Sequence, residues 1–246
     1  MTEMRRKSSG VSEVVGYLLI LSITLSVITT IYATGMPALE HARGAAAFQS
    51  MKTVFIIMQH DIKKVAFGQS PSLAFKLNLA EGSVSAIAHA GNITVHMNGT
   101  RHTCESGSIE YSLGTRKIIY ENGAVIERSS EAGIIISEPP VILSNYSGKP
   151  HIFISVINVS GDFSTGGGIT EINFRYNDTE SKFMGNCSDV SITINSSCED
   201  AWVNYLSNLN EGVKGCRITK IDNGVNINCS VPIDVTLVMH NVTVSC

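Results

Sequence analysis

The sequence predicts an α+β chain: a long N-terminal helix, membrane-spanning in its first half, followed by an antiparallel β-sheet or β-sandwich domain that carries one short helix. Three observations predict it. Between residues 14 and 39 there is no Asp, Glu, Lys, Arg or His, directly behind the basic cluster Arg5-Arg6-Lys7. After Pro37 apolar residues recur at three- and four-residue steps, the spacing of one helix face. From residue 72 onward the period becomes two, in short runs separated by Gly, Asn, Asp and Ser.

The apolar run comes first. Residues 14–36 number 23, and at 1.5 Å rise each they span about 35 Å, enough to cross a hydrocarbon core of roughly 30 Å with some tilt. The apolar part of a cleaved secretory signal is shorter, roughly 7–15 residues. Here the run is longer and Pro37 follows it, so no cleavage is expected downstream. The positive-inside rule puts Arg5, Arg6 and Lys7 in the cytoplasm and residues from about 40 onward outside, a single pass through the cell membrane.

Beyond the membrane segment Leu39, Ala42, Ala46, Met51, Val54, Phe55, Met58, Ile62 and Val65 mark an apolar stripe, with Glu40, Arg43, Lys52, Asp61, Lys63 and Lys64 between them. One helix from about residue 12 to residue 66 is expected. Pro37 has no amide hydrogen and crowds the preceding turn, which predicts a kink or loosened stretch near residues 35–37. Phe67-Gly68-Gln69-Ser70-Pro71 ends the helix. The resulting divisions are a basic leader (1–10), a membrane helix (11–36), an extracellular amphipathic continuation (37–70) and an extracellular β domain (71–246).

Two features on the outer side agree with this orientation. Nine Asn-x-Ser/Thr sequons occur, at Asn92, Asn98, Asn145, Asn158, Asn177, Asn186, Asn195, Asn228 and Asn241, where chance placement gives about three. The excess points to a glycosylated surface. Six cysteines, Cys104, Cys187, Cys198, Cys216, Cys229 and Cys246, lie outside the membrane segment. In an oxidising exterior they are disulfide candidates, with 15 pairings open.

Within the β domain, Glu121-Asn122-Gly123 and Asp222-Asn223-Gly224 read as hairpin turns, because Asn-Gly supplies the positive φ that tight turns need. Residues 199–212 are the exception to the period of two. Trp202, Tyr205, Leu206 and Leu209 share a helical face, Glu199 and Asp200 open it and Gly212 closes it. Trp202 is expected to anchor the core of the domain.

Composition narrows function. The first ten residues hold three basic residues and one acidic residue, so without them the net charge moves from −3 to −5 and no broad basic surface for nucleic acid remains. No Gly-x-Ser-x-Gly elbow, His-Glu-x-x-His pair or phosphate loop is present, and Gly166-Gly167-Gly168 reads as a hairpin loop, so neither an enzyme nor a cofactor is expected. The cysteine gaps lack zinc-ribbon spacing. His96, His102 and Cys104 are close in sequence but read as strand residues rather than a metal site.

The stretch RRKSSGVSEVVGYLLILSITLSVITTIYATG resembles the class III signal segment of archaeal type IV pilins and pilin-like surface proteins, whose members share a start similar to VSPVIG before an apolar helix. The resemblance covers about 30 N-terminal residues; the β domain is similar in architecture alone. It implies cleavage between Gly10 and Val11 by a prepilin-peptidase-like enzyme, after which the apolar helix leaves the lipid and packs against other pilin-like subunits through their assembly machinery. Ser9 stands where archaeal precursors usually carry a charge, and Glu13 replaces the proline of the VSPVIG-like core. Glu13 would be mature residue three; in bacterial pilins a glutamate at residue five pairs with a neighbouring amino terminus. Either that role or a bare carboxylate at the membrane face fits Glu13. Gly16, Ser22, Ser26, Ala33 and Gly35 would permit close helix approach. The expected function is a pilin-like subunit of a surface filament, and the alternative is a membrane-anchored surface glycoprotein that never polymerises.

Overall fold

The computed structural model describes residues 8–130, 132–146, 149–210 and 215–246. The chain divides into two compact units, residues 1–46 and 47–246. One helix, α1 (Ser8–Ala66), runs through the division and is helical across Pro37. It begins four residues before the expected start and ends at the expected residue.

In the first unit α1 is a lone helix. Its apolar window has a mean hydropathy of 2.2 and none of it is buried. In the second unit Phe48, Met51, Phe55, Met58, Ile62 and Val65 form the buried stripe, at alternating steps of three and four. The stripe therefore starts at Phe48 and not at Leu39, which is exposed, as are Ala42 and Ala46. The physical reason is size: Ala42 and Ala46 keep the spacing but carry too little surface to hold a helix face on a sheet.

The rest of the second unit is a twelve-stranded, mostly antiparallel sheet with one short helix. Its strands are β1 (Ser72–Met97), β2 (Thr100–Leu113), β3 (Arg116–Glu121), β4 (Ala124–Ser129), β5 (Ala132–Ser137) and β6 (Val141–Tyr146). They continue as β7 (Lys149–Ser160), β8 (Phe163–Cys187), β9 (Val190–Asn195), then α2 (Glu199–Asn210), β10 (Cys216–Ile221), β11 (Gly224–Cys229) and β12 (Ile233–Ser245). The order is β5-β4-β3-β2-β1-β8-β12-β7-β6, with β9, β11 and β10 added in turn beside the second half of β1. β1 to β5 pair in succession as antiparallel hairpins, as do β6 with β7 and β10 with β11. One pairing departs from the expected pattern: β7 and β12 are parallel, with Asp234 opposite His151 and Thr243 opposite Ser160.

The hairpin turns follow the sequence closely. Asn122 and Gly123 join β3 to β4 with φ of 51° and 79°, the backbone that Asn-Gly adopts at least cost. Asn98-Gly99 makes the same turn between β1 and β2, with φ of 46° and 80°. At the third hairpin the turn residues are Asp222 and Asn223, and Gly224 already belongs to β11. A Cβ on Gly224 would meet the Ile194 carbonyl oxygen of β9, so this glycine serves close strand approach rather than the turn.

Two cores fill the unit. One lies under α1 and collects the first half of β1, among it Leu77, Leu79 and Val84, with Tyr111, Tyr120, Phe174 and Val244. The other lies under α2 and collects the second half of β1 with β9 and β11, around the fully buried Trp202. Long β1 therefore belongs to both.

Polar contacts fix α1 in place. Gln59 is buried within the apolar stripe; its Nε2 donates to the carbonyls of Gly123 (2.5 Å) and Glu138 (3.1 Å), and its Oε1 accepts from Ser137 Oγ. One side chain thus holds the β3–β4 turn and the β5–β6 connection. Near the start of the stripe Lys52 pairs with Glu127. Arg116 also reaches Glu127, and its guanidinium lies 3.7 Å from the Phe48 ring centre, a cation–π stack.

Phe55 is fully buried, whereas Ile57 on the same turn is 51% exposed. Phe55→Ala should destabilise the second unit by about 3–5 kcal/mol, because a large cavity opens under the helix, while Ile57→Ala should stay within about 0.5 kcal/mol. Denaturant unfolding of the detergent-solubilised chain, followed by fluorescence of its one tryptophan, measures both.

Candidate functional site

The first candidate is the apolar helix of the first unit. Every Ser and Thr between residues 14 and 39 donates its hydroxyl back to a carbonyl of the preceding turn: Ser22 to Leu18, Thr24 to Leu21, Ser26 to Ser22, Thr29 to Leu25, Thr30 to Ser26 and Thr34 to Thr30, at 2.7–2.9 Å. This matters in a medium without water, where an unpaired hydroxyl is costly. The surface offered outward is Val, Leu, Ile and Tyr, all exposed, from Val14 to Leu39.

Gly10 and Val11 lie in the first turns of α1, with side chains outside the described residues, as is the leader 1–7. Glu13 is exposed and Gly16 partly so, on the outward surface of the same helix.

The sequons divide. Asn98, Asn145, Asn177, Asn186 and Asn228 are exposed; Asn92, Asn158, Asn195 and Asn241 are half-buried. The half-buried four form two cross-strand pairs. Asn195 Nδ2 donates to Asn92 Oδ1 (2.8 Å) and Asn158 Nδ2 to Asn241 Oδ1 (3.1 Å). Asn241 Nδ2 in turn donates to Asp178 Oδ1 (2.8 Å).

The six cysteines resolve into one bridge and four thiols, so a full three-bridge framework is not what the structure contains. Cys216 and Cys229 face each other across β10 and β11 and are disulfide-bonded. Cys104, Cys187 and Cys198 are buried thiols and Cys246 is exposed. The physical reason is apolar surroundings: the three buried thiols sit in the core under α2, Cys104 against Met239. Burial pushes Cys104 and Cys198 up to about 11 and raises Cys187 as well, so all three stay protonated and inert at neutral pH.

The second core also holds a carboxyl group. Glu121, at the end of β3, is 2% exposed. Burial raises its pKa to about 7, with Glu110 adding to the shift, against the opposing pull of Ser196 and the Trp202 indole; Ser196 Oγ donates to it at 2.8 Å. Local pattern assigns Glu121 only a turn role, since nothing nearby in sequence announces that α2 will cover it.

Two surface grooves flank α2. One of about 690 Å³ lies at the β5–β6 connection, lined by Lys63, Pro139, Pro140, Ile142, Tyr205 and Leu209. The other, about 280 Å³, lies at the start of α2 and holds Cys198 with Arg128, Glu199 and Asp200. Both acids pair with Lys220, at 3.0 and 2.7 Å. Among the described residues no three His, Cys, Asp or Glu side chains gather as a metal site. His96 is exposed, His102 reaches Lys182 and Cys104 points into the core, so these three do not converge.

Comparison with known proteins bears on the chain as a whole. Residues 9–245 match the model of a family of unknown function, DUF7289. The chain belongs to this family. The family's match takes in both the apolar helix and the sheet. A protein of Archaeoglobus fulgidus described as "Uncharacterized protein" is 24% identical over 194 residues, covering 70% of this chain and 72% of its own length. No solved structure matches the chain.

Two measurements follow. With alkylating reagent under native conditions only Cys246 should react, and peptide mapping without reductant should recover Cys216 linked to Cys229. The second concerns pH. A carboxyl whose folded pKa lies above its unfolded value binds its proton more tightly when folded, so its contribution is present below about pH 4.5 and declines as pH rises to about 7. Glu121→Gln should flatten that decline, a difference on the order of 3 kcal/mol between pH 4 and pH 8 in paired unfolding curves.

Proposed function

We propose that the chain is a pilin-like subunit of an archaeal type IV-type surface filament. As precursor it is held in the cell membrane by residues 14–36, with the leader in the cytoplasm and the sheet outside. A prepilin-peptidase-like enzyme cuts between Gly10 and Val11, and the freed helix then exchanges lipid for the same helix on neighbouring subunits. The role is structural rather than catalytic, with the sheet presenting an adhesive or protective surface.

The observation that carries the reading is α1 itself. One uninterrupted helix has an uncharged, unburied first part and a last part that supplies core side chains to the sheet. A plain anchor needs no such continuity; a filament subunit does, because force on the packed helices must reach the outer domain. The archaeal source of the relative supports the cellular setting. With its hydroxyls satisfied internally, the helix also suits the alternative, a single-pass surface glycoprotein that stays in lipid and never polymerises.

Mass spectrometry of the N-terminus of surface-exposed protein separates the two. The filament reading expects a mature chain starting at Val11, found in sheared filament fractions without detergent. A chain that retains its leader and is extracted only with detergent would sink it.

A further inference from the structure

The structure assigns N-glycan attachment to five of the nine sequons, Asn98, Asn145, Asn177, Asn186 and Asn228, and leaves Asn92, Asn158, Asn195 and Asn241 unmodified. The assignment rests on the outward orientation of the sheet proposed above and adds to it which side chains are substrates.

The chemistry sets the requirement. In the transfer, Asn Nδ2 displaces phosphate from the anomeric carbon of a lipid-linked oligosaccharide. The N–C bond forms, the C–O bond to phosphate breaks with its electron pair leaving on the phosphate, and one Nδ2 proton is released to solvent. The acceptor must therefore present a reachable Nδ2 with open space beyond it, and the hydroxyl two residues on must be readable.

Five side chains present an open Nδ2, and for four of them the hydroxyl is exposed as well. All are exposed, and among the described residues none donates a hydrogen bond through Nδ2. Asn98 sits in a turn and Asn186 next to the end of β8, both with positive φ, 46° and 57°. The Oδ1 of Asn98 accepts from the Ser188 amide at 3.2 Å, which leaves its nitrogen outward. Thr100, Ser188 and Ser230, which close the sequons of Asn98, Asn186 and Asn228, are exposed too, as is Thr179 after Asn177. Ser147, after Asn145, lies outside the described residues.

The other four fail for two separate reasons. The amide nitrogens of Asn158, Asn195 and Asn241 are committed to cross-strand partners at 2.8–3.1 Å, and each side chain is half-buried. A sugar on any of them would have to pack against neighbouring strands, and forcing the amide outward removes a hydrogen bond that the sheet surface uses. Asn92 supplies the acceptor for Asn195, and its sequon hydroxyl, Thr94, is 4% exposed and paired with Thr103. The exclusion acts on the folded sheet, where these amides are already paired; a glycan placed there earlier would oppose that pairing.

Four of the five assigned sites lie together. Asn98 and Asn186 meet at the start of β9, where the Asn98 amide donates to the Asp189 carbonyl. Asn228 stands opposite Ser191 of β9. The Asn186 amide donates to Asp234, which lies opposite His151, one residue from Pro150, the partner of Asn145. Four glycans thus gather at the end of the sheet where β1, β6, β8 and β11 finish. That end belongs to the core under α2, not to the core under α1. Asn177 stands apart from these four, beside Tyr176, whose amide donates to the Pro71 carbonyl just past the end of α1, so the α1-bearing half carries one assigned glycan against four at the other end.

The test uses the full chain expressed in an archaeal host. Intact cells are labelled with a membrane-impermeant lysine reagent, and the purified protein is mapped by glycopeptide mass spectrometry. Glycan on the five assigned peptides and none on the other four is the expected result. Asn98→Gln, Asn186→Gln and Asn228→Gln should each lower the mass by one glycan without changing surface labelling. A surface-labelled chain bearing glycan at Asn92, Asn158, Asn195 or Asn241, or bare at the assigned five, overturns the assignment while the orientation stands. A chain neither labelled nor glycosylated overturns both.

Discussion

An α-helix closes its backbone hydrogen bonds within itself, and on that property both halves of this chain depend. In residues 14–39 it allows a surface of Val, Leu and Ile to stand without any partner in the described structure. In residues 48–66 it allows the same element to turn one stripe onto a sheet. A lone strand would not serve in the first place, since its backbone groups pair only with a neighbouring strand. The break between the two behaviours comes from side chains alone: charges enter at Glu40 and the first large buried group is Phe48.

The sheet meets the helix through a mixture of non-directional and directional forces. Phe48, Phe55, Met58, Ile62 and Val65 are fully buried, each worth about 1.5–3 kcal/mol by area removed from water. That term holds the helix on the sheet but does not set its position along or around the axis. Gln59 does so, because its three hydrogen bonds reach two separate loops of the sheet. Directional contacts of modest net worth thereby choose among packings that burial leaves nearly equal.

Much of this was legible from local pattern. The end of α1 at Ala66, the Asn122-Gly123 turn, α2 and the burial of Trp202 all follow from residues within one or two turns of each other. What was not legible depends on distant neighbours. The parallel pairing of β7 with β12 joins segments about 80 residues apart, and no local signal encodes it. Gln59 looks like a surface residue until the Gly123 and Glu138 carbonyls are placed beside it. The nine sequons are identical as motifs, yet they separate once cross-strand partners are known, as Asn195 beside Asn92 shows. Cysteine pairing behaves the same way: Cys216 and Cys229 are adjacent because a hairpin makes them so, while Cys104 and Cys198 are core side chains.

The internally satisfied hydroxyls of α1 carry a consequence for reversibility. A helix that relied on hydroxyl contacts with its neighbours would have to break those bonds each time it changed surroundings, in fat or in protein. Here Ser22, Ser26, Thr30 and Thr34 take their acceptors from the helix itself, so no partner outside it is needed. Moving the segment from one medium to the other exchanges dispersion contacts for dispersion contacts, with no polar group uncovered on the way.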